Sequence, residues 1–254
     1  MGDEMSLRSA PCETGFLMGQ VRLRQVAVAA LDGGEVVKQL NTTLRLSTGY
    51  QDPGVAEFGL ENHVFALGNQ FLELVSPVTH AAPVWRFLQK RGREAAGYMV
   101  VLEVDSVDPY RARAETLHLR VALDSESETW STLHLHPRDM GSLVSVDRDK
   151  GGDWMPAGPD WRDGPAAGAI TGIAGVRIAT SDPIALASRW ATFLDVPYSS
   201  GVDLRLNQGT IEFVRAASGN DGLVGVDLFT SEESLVGECH TIAGTNFQIV
   251  KMSR

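Results

Sequence analysis

Glu73 is the residue of this chain best placed to do chemistry. It stands in Asn69 to Val75 (NQFLELV), where alternating apolar side chains predict a strand. The preceding Gly68-Asn69 pair tolerates positive φ, so a tight hairpin is expected with the strand before it. Pairing Leu67 with Gln70 sets Val64 opposite Glu73 and His63 opposite Leu74. Asn62, Val64, Phe71, Glu73 and Val75 then share one face, and His63, Phe65, Leu72 and Leu74 share the other. If the first face is covered, desolvation raises the carboxyl pKa and suits it to general acid or base work. At an uncovered edge it would simply reach solvent.

His134 and His136 are two residues apart, so they project from one face of a strand. On an inner face they could relay a proton; on an outer face they are solvated or packed under a helix. His63 reads as a satisfied core or helix-packing histidine. Trp154 and Trp161 lie in GGDWMPAGPDWRDGPAAG, where they either cover an apolar ligand or pin that segment to its neighbours. No Ser-His-Asp elbow, Walker loop or HExxH helix occurs in the chain.

With 254 residues, 43% of them hydrophobic, the chain can bury one large core or two smaller ones. A formal charge of -10 disfavours nucleic acid and anionic membranes as partners. Cys12 and Cys239 fit neither a disulfide framework nor a zinc ribbon. The acidic opening lacks an apolar signal core, and no run of about 18 apolar residues follows, so a soluble cytoplasmic protein is expected.

A strand pattern over 21–30 and a helix over 35–46 precede the hairpin. A helix near 82–91 follows, then a strand over 98–104, a helix over 109–117 and three further strands. The plan restarts at Ile170, where QGTIEFV and GLVGVDLFTSE echo NQFLELV and GYMVVLEVD, with the last unit losing most of its helix. The organisation expected is an arm over 1–19, a first unit pair over 20–150, a Gly/Pro/Trp linker over 151–168 and a degenerate pair over 169–254.

The segments LGNQFLELVSPV, PVWRFLQK, GYMVVLEVDSVD and LHLHPRDMGSLVSVD resemble the vicinal oxygen chelate, or glyoxalase-like, superfamily, in its methylmalonyl-CoA epimerase-like branch. The resemblance spans roughly 22–148 and implies an α+β fold of paired βαβββ modules closing into a cup around a divalent metal. Carried over by position, it implies Gln25 and Glu73 as metal ligands, with Met99 and Ser145 where a histidine and a glutamate are expected. A thioether and a hydroxyl are poor ligands for such ions, so any metal is expected to bind weakly. In the C-terminal copy the corresponding positions are Gly175, Glu212, Val224 and Gln248, which argues against dioxygenase chemistry. Asn62, Val64, Phe71, Met99, Glu103, Ser145 and Trp154 are expected to contact a ligand, with His134 and His136 as candidates either for proton transfer or to replace the missing metal ligands. The implied activity is proton transfer on a small carbonyl or acyl compound, of lyase or isomerase type. The alternative is metal-free sequestration of a small molecule, and a homodimer is expected in either case.

Overall fold

A computed structural model describes residues 19–46, 49–162, 168–217 and 219–252; Cys12 lies outside them. The chain begins with β1 (Val21–Ala30), α1 (Gly33–Thr43) and the hairpin of β2 (Leu60–Leu67) with β3 (Gln70–Pro77). Helix α2 (Pro83–Arg91) leads to β4 (Ala95–Val104), α3 (Asp108–Thr116), β5 (Val121–Glu126) and β6 (Trp130–Leu135). A four-residue helix α4 (Pro137–Met140) and β7 (Leu143–Asp149) complete the first sheet. The second sheet is built from β8 (Ile170–Thr180), α5 (Pro183–Leu194), β9 (Asp203–Arg205), β10 (Thr210–Arg215), β11 (Gly222–Thr230), β12 (Cys239–Ile242) and β13 (Thr245–Lys251).

The strand orders are β2-β3-β1-β4-β7-β6-β5 and β12-β13-β11-β8-β10-β9. In each sheet the opening strands of two units pair antiparallel at the centre, β1 with β4 and β8 with β11. In each unit the last strand lies parallel to the first. This is the α+β architecture of paired βαβββ modules that the repeat predicts. The second pair is reduced: between β11 and β12 the helix has shrunk to a 3-10 turn, Glu233–Leu235.

Local chemistry explains the helix boundaries. The carboxylate of Asp32 caps α1 by accepting from the Glu35 amide at 3.0 Å, and Asp182 caps α5 through Ala185 at 3.1 Å. The α1 helix therefore starts two residues before the expected 35 and ends at Thr43, after which Arg45 turns left-handed. The hairpin register is the expected one, with Val64 opposite Glu73 and His63 opposite Leu74.

One core runs through both sheets. Leu23, Val26, Val100, Leu102 and Val146 of the first join Ile173, Val176, Val226, Leu228 and Phe247 of the second, with Leu40, Trp190 and Phe193 from the helices. The sheets also interlock through polar groups. Gln70 is 1% exposed and donates to the Leu23 and Ile173 carbonyls at 2.8 and 3.0 Å, while its own carbonyl accepts from the Ile173 amide at 2.8 Å. A buried amide with all these bonds made is stabilising, and any truncation leaves backbone groups of two strands without partners.

Candidate active site

The face of the first sheet opposite this core carries the candidate site. Register places Gln25, Phe71, Glu73, Val64, Asn62, Met99, Val101, Ser145, Asp147, Thr132 and His134 on it. Two bulges add a residue each. Arg24 is skipped between Leu23 and Gln25, and Tyr98 between Gly97 and Met99, so neither follows the simple alternation of its strand. The second sheet repeats both irregularities at Ala174 and Val224. The C-terminal counterpart of Met99 is therefore Gly225 rather than Val224, because the extra residue shifts the count by one.

Two segments cover this face. Val84 and Leu88 of α2 pack on Ala29, Val75 and Ala96, joined by the partly buried Tyr98. The segment after β7 covers the rest, inserting Trp154 and Ala157 against Val64, Phe71 and Val101. Asp149 organises that entry, with its carboxylate accepting from the amides of Gly151, Gly152 and Trp154. Trp154 is 1% exposed, stacks at an interplanar angle of 3° on Phe71 with centroids 6.1 Å apart, and meets Trp130 at 4.8 Å. Its backbone is left-handed at φ 45°, which costs a bulky residue roughly 1–2 kcal/mol. Burying an indole gains roughly 4–5 kcal/mol, so packing wins. The linker is thus more than a connection: its tryptophan fills the space that the resemblance assigns to a ligand.

Beneath Trp154 lies a closed polar chain. The Trp154 indole N–H donates to Gln25 Oε1 at 3.0 Å, Gln25 Nε2 donates to Glu73 Oε2 at 2.9 Å, and Asn62 Nδ2 donates to Glu73 Oε1 at 2.8 Å. Asn62 in turn accepts from the Asp52 amide at 2.9 Å. Burial pushes the Glu73 carboxyl above its ordinary value; the two amide donors oppose that shift, and the Asp52 charge adds to it. Tyr98 is held protonated, at about 12, by burial first and by the Glu73 charge second.

A second buried carboxyl was not anticipated. Asp147 is 6% exposed, and its Oδ1 accepts from both Ser145 and Thr132 hydroxyls. Burial raises it to about 6, with the hydroxyl donors opposing and the Glu103 charge assisting. It stands two residues beyond Ser145, and that same-face spacing was the available signal. Because its folded pKa exceeds the unfolded value near 3.9, the native state binds the extra proton. The contribution of Asp147 to stability is then greatest below about pH 4 and is lost as pH rises to about 6, by an amount on the order of 3 kcal/mol. Asp147→Asn keeps an Oδ1 acceptor for both hydroxyls and removes the charge. Buried His134, lowered to about 4, contributes the opposite slope over the same range, so Asp147 is read from the difference: the stability of Asp147→Asn relative to wild type should rise between pH 4 and 6 in thermal denaturation, and parallel profiles would refute the assignment.

The other candidates are distributed as follows. His134 lies beside Ser145 on the site face and is kept neutral by burial, which lowers it to about 4, but it makes no contact with the Glu73 chain. His136 does not share its face: β6 ends at Leu135, and His136 caps α4 by accepting from the Arg138 amide at 3.1 Å. Met99 packs at the edge of the aromatic cluster. Ser145 is fully buried and spends its hydroxyl on Asp147. Glu103 is paired with Arg22 at 2.8 Å and Arg24 at 3.1 Å. His63 sits on the opposite face beside Gln51, at 3.3 Å. Cavities of about 590 Å³ beside α5 and about 330 Å³ over Gly175, Glu212 and Asp227 lie away from Glu73, since Trp154 already fills the space above it.

A divalent cation does not fit the four positions implied by the resemblance. Both Glu73 oxygens accept amide hydrogens, the Gln25 oxygen accepts the indole, Ser145 donates to Asp147, and Met99 offers a thioether. Among the described residues, no three His, Cys, Asp or Glu side chains form a group able to hold a metal ion.

Two sheets of paired βαβββ modules, with a buried carboxyl on the covered face of the first, define a glyoxalase-like protein. The family model described as a glyoxalase-like domain matches residues 26–194, well over half of the chain, and the protein belongs to that family. A hypothetical protein from Staphylococcus aureus has the same fold, at a TM-score of 0.69 and 12% identity over 91% of this chain and 100% of that one. Methylmalonyl-CoA epimerase from Streptomyces coelicolor, in complex with 2-nitronate-propionyl-CoA, aligns at a TM-score of 0.44 and 18% identity over 50% of this chain and 96% of its own. The epimerase from Mycobacterium tuberculosis aligns at 0.44 and 16% over 50% and 87%. No curated protein matches the chain. No helix among the described residues is long and apolar enough to cross a membrane.

Proposed function

We propose that the covered face of the first sheet binds a small carbonyl or acyl compound and that Glu73 moves a proton on the carbon beside the carbonyl, a lyase or isomerase type of reaction. The observation that carries this reading is a single carboxyl held by two amide donors at the floor of an aromatic enclosure, with its pKa raised by burial. A base with a pKa nearer neutrality loses less driving force in taking a carbon-bound proton and returns it more readily. Glu73 would accept the proton as a carboxylate, leaving an enolate, and then give it back to that carbon or to a neighbouring atom. Gln25 and Asn62 hold the carboxylate in place through both steps. Residues 20–150 and 169–254 would be the two folding units, joined by 151–168, and a homodimer is part of the same reading.

Sequestration without chemistry is the second reading, favoured by the aromatic lining of Phe71, Trp130 and Trp161 around Trp154. Thermal-shift screening of acyl-CoA thioesters, methylglyoxal adducts and aromatic catabolites, followed by NMR of deuterium uptake at the α-carbon of any stabilising compound, separates the two. Uptake that disappears in Glu73→Gln supports the enzyme. Tight binding with no exchange in the wild type supports sequestration.

The donor chemistry carries its own expectation. Calorimetric titration of metal-stripped protein with Mn²⁺, Co²⁺ and Zn²⁺ should give no saturable one-to-one binding. A stoichiometric site abolished by Glu73→Gln would show that the chain rearranges to complete a shell.

A further inference from the structure

Trp154 reports what its enclosure accepts. Its flat bicyclic ring lies parallel to Phe71, its edge meets Trp130, and its single N–H is received by Gln25 Oε1 at 3.0 Å. The Arg24 guanidinium lies over the same rings, 4.9 Å from Trp154, 5.1 Å from Phe71 and 5.5 Å from Trp161. That guanidinium is incompletely used. Its Nη1 donates to the Asn69 carbonyl, but Nε, although 3.1 Å from Glu103 Oε2, is not aligned with it, and both atoms are buried without a hydrogen bond. Arg22 already engages the other Glu103 oxygen at 2.8 Å, so Glu103 keeps a cationic partner if Arg24 turns away. The indole is carried by a left-handed residue of the segment that follows β7 and not by a strand of the sheet.

We infer that Trp154 stands in for the ligand, and that the compound taken here is a flat aromatic acid: a planar ring with an N–H or O–H for Gln25 and a carboxylate for Arg24. A planar carboxylate matches the guanidinium fork, and a flat ring can take the place of the indole beside Phe71, with the guanidinium close to both. This inference names the substrate class of the site proposed above and rests on that location, not on the chemistry assigned to Glu73.

The test uses three probes of graded character: indole-3-carboxylate, indole and cyclohexanecarboxylate. Full-length Trp154→Ala should bind indole-3-carboxylate about tenfold tighter than indole and tighter still than cyclohexanecarboxylate, by calorimetry. Arg24→Gln in the same background should abolish the preference for the acid, weakening the acid about tenfold more than it weakens indole. The inference is overturned if the three probes bind alike, or if Arg24→Gln weakens indole and the acid equally. Should Trp154→Ala fail to fold, wild-type protein carrying 5-fluorotryptophan gives the answer by fluorine NMR, with the Trp154 signal assigned through Trp154→Phe. Saturating indole-3-carboxylate should move that signal towards the solvent-exposed position, and an unmoved signal refutes the displacement. Binding with no turnover of any aromatic acid would then defeat the proton-transfer reading alone, whereas turnover of non-aromatic compounds without binding of these probes would defeat the ligand class alone.

Discussion

Glu73→Gln is expected to lower turnover on a confirmed substrate by about two orders of magnitude or more, the usual scale for losing a general base, with the melting temperature close to that of the wild type. Two opposing effects set the stability. Removing a carboxylate whose ionisation is penalised by burial is favourable above the ordinary carboxyl range, because the wild type loses stability as pH rises through its raised pKa. Against this, the new amide nitrogen faces either Gln25 Nε2 or Asn62 Nδ2, both donors, so one hydrogen bond must be rearranged. Rotating the Gln25 amide would break its bond to Trp154, and rotating Asn62 would break its bond to the Asp52 amide, so either arrangement loses one hydrogen bond. Steady-state kinetics beside thermal denaturation at two pH values reads both consequences. Turnover that survives intact removes Glu73 as the proton carrier, and a large loss of stability would make it a structural carboxyl instead.

Gly97→Ala is expected to be strongly destabilising. A methyl group there would sit 2.2 Å from the Leu223 carbonyl oxygen and 2.9 Å from its carbon, atoms that belong to a strand of the other sheet and cannot rotate away. The two sheets would have to separate at the β4–β11 seam, which is continuous with the shared core. Overpacking of this kind costs about 3 kcal/mol, corresponding to a melting temperature lower by about 10 °C for a chain of this size. Gly34→Ala is the matched control, since its added carbon meets only the Asp32 carboxylate at an ordinary 3.6 Å. Equal melting of the two variants would show that the seam is looser than the packing described.

The β2–β3 hairpin shows how much of the site was legible in the residues themselves. Its register follows from the Gly68-Asn69 turn, and strand parity then puts Asn62, Val64, Phe71 and Glu73 on one face, where the structure has them. The same parity failed for His136, because β6 stops one residue earlier and Pro137 opens a helix that His136 caps. Asp147 was missed although it shares parity with Ser145: the family pattern drew attention to one position, and nothing local marks the next inward residue as buried.

Local periodicity and turn chemistry act over a few residues, so the repeated units, the hairpin register and the face of Glu73 were determined by the amino-acid sequence alone. Other features depend on groups far apart in the chain. The bulges at Arg24 and Tyr98 arise where β1 and β4 pair, two strands more than seventy residues apart. Trp154 meets Gln25 across 129 residues, and Gln70 clamps Ile173 across 103. Each of these contacts exchanges chain entropy for burial that exists only once distant segments have come together, and no local pattern encodes that balance. Tertiary structure therefore decided that the glycine- and proline-rich linker supplies the occupant of the site, and that the carboxyl beneath it is desolvated.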